Sequence, residues 1–77
     1  MRNELVRLIR TYRGMNQKQF AEWLGVGESS ISQVESGHRN ISEALEGRIA
    51  LKFDVTDRDF IEFCDRLEQT REYFNSK

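Results

Sequence analysis

The sequence predicts an all-α domain of five helices, and three observations lead to this prediction. The 77 residues include no proline, the five glycines are well spaced, and apolar residues recur at three- and four-residue steps. A chain of this length forms one domain and lies near the lower limit for a self-sufficient core. We therefore expect residues 1–77 to form a single helical domain with short connections.

The composition restricts the class of protein. The single cysteine, Cys64, cannot form an internal disulfide and fits a reducing cytosol. No apolar run approaches the roughly 20 residues of a membrane span, and no signal peptide is visible. We therefore expect a cytoplasmic protein.

Charge is distributed unevenly along a chain whose net charge is −1. Residues 1–39 hold six Lys/Arg against four Asp/Glu, whereas residues 40–77 hold six against nine. Nucleic-acid binders are usually basic. The basic excess of the first half could still contact phosphates, and the acidic half could discourage non-specific binding to DNA.

The first predicted helix covers residues 3–13. Asn3 is the expected N-cap, and Gly14 ends the helix. Its apolar residues cover a broad arc and are Leu5, Val6, Leu8, Ile9 and Tyr12. A second arc, which carries Arg7, Arg10 and Arg13, could simply be solvated.

Residues 16–37 predict two short helices joined by a tight turn. Asn16 is a good N-cap, and the first helix buries a stripe made of Phe20, Ala21 and Leu24. Gly25 leaves this helix with positive φ, which glycine adopts without steric cost, and Val26 fills the space between the helices.

The second of these helices begins at Gly27 or Glu28, and Gly37 ends it. Only Ile31 and Val34 are apolar, and they lie three residues apart on one face. The opposite face carries Glu28, Ser29, Ser32, Gln33 and Ser36. Such a helix suits insertion into a groove better than burial in a core, and the pair forms a helix-turn-helix pattern.

The fourth predicted helix follows a short loop, residues 38–41. Ser42 is its N-cap, and Glu43 and Glu46 favour its first turn. Gly47 inside the helix predicts close packing against another helix. The apolar set is Ala44, Leu45, Ile49, Ala50 and Phe53.

The last predicted helix covers residues 56–75, with Thr56 as its N-cap. Its stripe at three- and four-residue steps is Phe60, Phe63, Cys64, Leu67, Arg71 and Phe74. Phe60, Ile61 and Cys64 are expected to close the core. The second half, Leu67 to Phe74, either forms a dimer seam, which we favour, or folds back over Leu8 and Tyr12 of the first helix.

Trp23 lies beside the core position Leu24 and has two interpretations. It could cover the domain's edge or pack against the last helix. It could also contact a partner chain, because tryptophan is enriched at interface hot spots.

The spacing of these residues resembles the Cro/CI-type (lambda-repressor-like, Xre) family of DNA-binding domains over about residues 4–61. The matching residues are Arg10, Gly14, Gln17, Phe20-Ala21, Gly25-Val26, Ile31, Glu35 and Gly37. The resemblance implies a five-helix lambda-repressor-like fold. It also implies a bond between Arg10 and Glu35 that ties the first helix to the recognition helix.

The resemblance further implies which residues meet DNA. Base-reading positions fall on Glu28, Ser29 and Gln33, with Ser32 as a neighbour, although Glu28 could simply favour the helix dipole. Phosphate contacts fall on Asn16, Gln17, Ser36 and Arg39, with Lys18 and His38 as additions. His38 alone would otherwise be an exposed loop residue. Asn40, Ile41 and Glu43 depart from the basic residues that family members carry here.

No catalytic constellation is visible, so we predict no enzyme, no metal and no cofactor. One His and one Cys cannot form a metal site, and no serine accompanies a base in a catalytic motif. The resemblance and the size favour a dimeric repressor of phage or mobile-element type on an inverted-repeat operator. The alternative is a helix-turn-helix module that binds another regulatory protein instead of DNA.

Overall fold

The computed structural model describes the backbone of residues 1–75 and the side chains of residues 1–69. The helices are α1 (Asn3–Tyr12), α2 (Gln17–Leu24), α3 (Glu28–Glu35), α4 (Glu43–Lys52) and α5 (Arg58–Asn75). The predicted all-α class and the order of five helices are therefore confirmed.

All five helices contribute to one hydrophobic core. The buried side chains are Val6, Ile9, Phe20, Ala21, Leu24, Ile31, Val34, Leu45, Ile49 and Phe60. Burying a large aliphatic or aromatic side chain contributes about 1.5–3 kcal/mol, so this cluster is the main source of stability. The α2–α3 pair lies at the centre, against α1 on one side and α4 on the other.

The two ends of α2 have the predicted caps, Asn16 at the start and Gly25 at the end. The Asn16 side chain accepts a hydrogen bond from the backbone N–H of Gln19 at 2.7 Å, and the Gln19 side chain accepts one from the Asn16 N–H at 2.9 Å. At the other end Gly25 has a φ of 75°. A side chain there would approach Arg48 Nη1, which itself donates to the Leu24 carbonyl at 3.0 Å.

Two predicted N-caps are wrong. Asn3 is the first residue of α1. Arg2 occupies the cap position, and its side chain forms no capping hydrogen bond. The Asn3 side-chain amide instead forms hydrogen bonds with the loop that follows α3. At α5, the backbone N–H of Phe60 donates to Asp57 Oδ2 at 3.1 Å, whereas Thr56 donates from both its N–H and its hydroxyl to Asp54.

Three expectations about packing are also wrong. A Cβ built on Gly47 meets no atom within 4 Å, so close helix packing does not explain this glycine. Ala44 and Ala50 are exposed, because only Leu45 and Ile49 of α4 point into the core. Ile61 is exposed as well, since it lies one step off the stripe that Phe60 begins.

The first half of α5 packs against α1 through aromatic rings. The Tyr12 ring lies 5.4 Å from Phe60, 5.3 Å from Phe63 and 6.0 Å from Phe53, measured between centroids. Farther along the helix Leu67 is 36% exposed. The predictions for Arg71 and Phe74 lie outside the described side chains.

Candidate nucleic-acid interface

The exposed face of α3 carries polar side chains that hydrophobic packing does not use. At 100° per residue, Ser29, Ser32 and Gln33 lie on the side away from the buried Ile31 and Val34, and Glu28 lies at the edge of that side, about 60° from Ile31. Glu28, Ser29 and Gln33 are exposed, and Ser32 is half-buried. The four predicted base-reading residues therefore share one side of one helix.

An ion pair fixes the position of α3 relative to α1. Arg10 Nε donates to Glu35 Oε2 at 2.7 Å, and Arg10 Nη2 donates to Glu35 Oε1 at 2.8 Å. The side chains are 18% and 6% exposed. The hydrogen bonds that Arg10 donates to Glu35 raise the pKa of Arg10, which keeps a guanidinium in its charged form.

The same network reaches the N-terminus of α2. Gln17 Nε2 donates to Glu35 Oε1 at 3.4 Å, and Arg10 Nη1 donates to the Met15 carbonyl at 3.0 Å. The backbone N–H groups of Gln17 and Lys18 precede the first intrahelical bond, which runs from the Phe20 N–H to the Asn16 carbonyl. These N–H groups have the polarity that an anion requires.

The loop after α3 is held by hydrogen bonds to the last turn of that helix. The Ser36 hydroxyl donates to the Gln33 carbonyl at 3.2 Å, and Ser36 Oγ lies 2.7 Å from His38 Nδ1. The Ser36 hydroxyl therefore connects the end of α3 with the His38 ring. The Arg39 N–H also donates to the Gln33 carbonyl, at 3.2 Å.

Asn3 anchors this loop from the other side, a role that the sequence analysis missed. Its Nδ2 donates to the Arg39 carbonyl at 2.9 Å, and its Oδ1 accepts from the Ile41 N–H at 3.0 Å. The backbone around Arg39 is thus tied to both α1 and α3. Sequence gives only a weak signal for such a bridge, because an asparagine at a helix start more often serves as a cap.

The predicted phosphate-contacting residues form two groups, one at the start of α2 and one in the loop after α3. The first group is Asn16, Gln17 and Lys18; the second is Ser36, His38 and Arg39. All six are exposed except Gln17, which is half-buried beneath Glu35. The two groups adjoin the two ends of the helix-turn-helix, so an anion could approach either end.

Trp23 packs against Phe20 and lies beside two cationic side chains. The half-buried indole packs against the Phe20 ring, 5.7 Å away between centroids. Arg13 and Lys52 place their cationic groups 5.2 and 5.5 Å from the indole centroid. The prediction that Trp23 covers the domain's edge agrees with the Phe20 contact.

The residues that the structure describes include neither a membrane-spanning helix nor a cluster of metal ligands. No described helix combines the length and the apolar character that crossing a bilayer requires. No group of three or more His, Cys, Asp or Glu side chains there could hold a metal ion.

Comparison with known proteins assigns the family. The family model described as Helix-turn-helix matches residues 6–60, close to the span expected from the sequence. No curated protein and no solved structure matches the chain. The match covers the Arg10–Glu35 pair, the α2–α3 turn and the loop after α3. The chain therefore belongs to the Cro/CI-type helix-turn-helix family of DNA-binding regulators.

Proposed function

We propose that the protein is a transcriptional repressor that binds an inverted-repeat operator through the DNA major groove. The observation that carries the proposal is the exposed polar face of α3 on a helix fixed by a two-bond ion pair to α1. A helix used for reading bases requires this combination of accessible side chains and a rigid support.

Base reading falls on the exposed face of α3. Gln33 has the amide group that pairs with adenine through its N6 and N7 atoms, and Glu28 can accept from the cytosine amino group. Ser29 can donate or accept, and Ser32 lies beside it. Because Gln33 is also the residue whose carbonyl holds the following loop, its backbone position is well defined.

Phosphate binding falls on both ends of the helix-turn-helix. The α2 N-terminus offers the N–H groups of Gln17 and Lys18 with the positive end of the helix dipole. The loop offers the Arg39 guanidinium, the Ser36 hydroxyl and the His38 ring. Contacts with the DNA phosphate backbone at both ends of the helix-turn-helix would set the depth and orientation of α3 in the groove.

Two copies related by a two-fold axis would place two α3 helices about 34 Å apart, one turn of DNA. The dimer or partner surface that we proposed from the sequence consists of Trp23, Leu67, Arg71 and Phe74. An inverted-repeat operator follows from the symmetry of such a dimer, and repression follows if the operator overlaps a promoter. The cytoplasm is the compartment that fits this target.

A second candidate function is docking on another regulatory protein. The basic groups around Trp23 favour it, because Arg13 and Lys52 are not among the residues proposed to contact phosphates. In this case α3 would have no base preference, and Trp23→Ala would abolish the partner complex.

Selection from a random duplex DNA library at low and high salt, with sequencing of the bound pool, tests the proposal. An enriched inverted repeat whose affinity falls steeply with salt supports a dimeric operator binder. An enriched half-site retains base reading and removes the dimer. A pool without enrichment at low salt contradicts the proposed groove reading and favours the docking module.

A further inference from the structure

One side of the molecule carries a basic and an acidic flank around a single ring cluster. We call this the Tyr12 surface. Its centre is Tyr12 with Phe53 and Phe63, both in ring contact with it. The basic flank is Arg13, Trp23 and Lys52; the acidic flank is Asp57, Asp59 and Glu62.

The basic flank consists of two cationic side chains around one indole ring. Arg13 and Lys52 both lie over the Trp23 ring, and neither has a carboxylate within 4.0 Å among the side chains that the structure describes. Both side chains are exposed, and the indole is half-buried. The flank therefore presents two cations beside a half-buried indole, which suits a partner that carries carboxylates.

The acidic flank lies on the other side of Tyr12. The Tyr12 hydroxyl points toward Asp57 Oδ2 at 3.5 Å, and Asp59, Glu62, Phe63 and Arg66 line a shallow cavity beside the ring. With three carboxylates and one guanidinium, this flank is acidic in balance. Burial raises the pKa of Tyr12, the Asp57 and Asp59 charges raise it further, and the Arg13 charge opposes them. Arg13 follows Tyr12 in the chain and Asp57 lies beside its hydroxyl, so the two flanks meet at this residue.

Neighbouring flanks of opposite sign are what a two-fold interface needs. In such an interface the same patch meets itself, so each contact occurs twice with the two residues exchanged. A rotation about an axis near Tyr12 brings the basic flank of each copy onto the acidic flank of the other. The ring cluster would then supply the apolar centre and the charges the rim, as in typical interfaces.

We infer that the Tyr12 surface is a self-association site, in which Arg13, Trp23 and Lys52 of one copy receive Asp57, Asp59 and Glu62 of a second copy. The occupant is a second copy because the complementary charges and the apolar centre are already present on the same surface. The inference deepens the proposed function, since it rests on the dimer and places the contact on the Tyr12 surface, which shares Trp23 with the surface proposed from the sequence.

Sedimentation equilibrium without DNA tests the site, using Lys52→Glu and Glu62→Lys. Each change places like charges opposite each other twice in the dimer, so we expect each to weaken self-association at least tenfold. An equimolar mixture of the two variants restores both opposite-charge contacts, and we expect it to regain the wild-type dissociation constant. Lys18→Glu and Glu43→Lys are matched controls at exposed positions outside the surface and should dimerise normally.

Three results would overturn the inference: a wild-type chain that stays monomeric at every concentration, single variants that dimerise normally, or a mixture that fails to recover. Thermal melts verify that each variant folds. If a charge-reversed variant does not fold, Lys52→Gln or Glu62→Gln replaces it, and we expect these neutral changes to weaken self-association less. Because no DNA is present, failure here leaves base reading untouched. Half-site binding by the monomeric variants would then separate the loss of the dimer from the loss of the proposed function.

Discussion

Arg10 and Glu35, 25 residues apart, form a two-bond ion pair at the junction of α1, α2 and α3. The Glu35 side chain is 6% exposed and also accepts from Gln17. A carboxylate this far from water needs its cation, because removing one partner strands the other charge. The pair therefore determines how α3 is held against α1.

We expect Arg10→Ala to lower the free energy of unfolding by about 2–4 kcal/mol, because Glu35 keeps its charge and loses two hydrogen bonds. Arg10→Lys should recover only part of the loss, since an ammonium cannot form both parallel bonds. Urea denaturation measures both. The double change Arg10→Met with Glu35→Leu leaves no stranded charge and should lower the free energy of unfolding less than Arg10→Ala does. A double variant whose loss equals the sum of the two single losses would contradict this explanation.

Local rules predicted much of the fold and of the candidate site. The Asn16 capping box and the positive φ values of Gly25 and Gly37 depend on neighbours in sequence, so the helix-turn-helix could be predicted. The resemblance added the Arg10–Glu35 pair. Each of these depends on residue type and spacing alone.

The predictions for Asn3 and Gly47 failed because each depended on residues that are distant in the sequence. The Asn3 amide leaves the cap position because Arg39 and Ile41, 36 and 38 residues away, offer a carbonyl and an N–H. From the glycine at position 47 we expected a closely packed neighbouring helix. The structure has no atom within 4 Å of a Cβ built there. Periodicity cannot identify either kind of contact.

We expect Gly47→Ala to stabilise the protein by about 1 kcal/mol. The site is inside α4, the added methyl meets no atom within 4 Å, and alanine restricts the unfolded chain more than glycine does. The matched control is Gly25→Ala, which should destabilise because φ is 75° and Arg48 Nη1 lies 3.1 Å from the new methyl. Thermal melts report both. A destabilising Gly47→Ala would imply that another chain covers this face.

Replacing Asn3 by alanine should release the loop after α3. Both bonds of the amide are lost, and we expect a cost of about 1–2 kcal/mol. The specific measurement is amide hydrogen exchange at Ile41, whose N–H would lose its acceptor and should exchange faster. Asn3→Asp keeps an acceptor for Ile41 and should leave this exchange slower than in Asn3→Ala. Equal exchange in all three proteins would mean that Asn3 does not hold the loop.

The Cys64 thiol should ionise at higher pH in the folded protein than in the unfolded chain. Burial raises its pKa, and the Asp65 and Glu68 charges add to the shift. Because the folded pKa lies above the unfolded value of about 8.5, the stabilising contribution of the neutral thiol is complete below that pH and is lost as pH rises through the folded pKa. Alkylation by iodoacetamide, followed by mass spectrometry, should show a higher midpoint in buffer than in urea. Coincident midpoints would contradict the shift.

Gln33 and Arg39 should affect DNA binding in different ways, since one is placed to read bases and the other to contact the backbone. Gln33→Ala removes an amide from the exposed face of α3. We expect it to reduce discrimination by about 1–3 kcal/mol at one base pair in each half-site and to leave non-specific binding unchanged.

Arg39→Ala should instead weaken binding to every sequence and reduce the salt slope by about 1 per subunit, because one fewer counterion is released. Electrophoretic mobility shifts at several salt concentrations, on the selected operator and on a base-substituted copy, measure both quantities. Lys18→Ala is the comparison at the α2 group and should behave like Arg39→Ala. If Gln33→Ala alters the salt slope while Arg39→Ala alters base preference, the two roles are reversed.

The Gln33 carbonyl, which belongs to the backbone, accepts the hydrogen bonds that hold the loop after α3. Alanine at position 33 keeps this carbonyl, so a change in base preference reports on the Gln33 side chain alone.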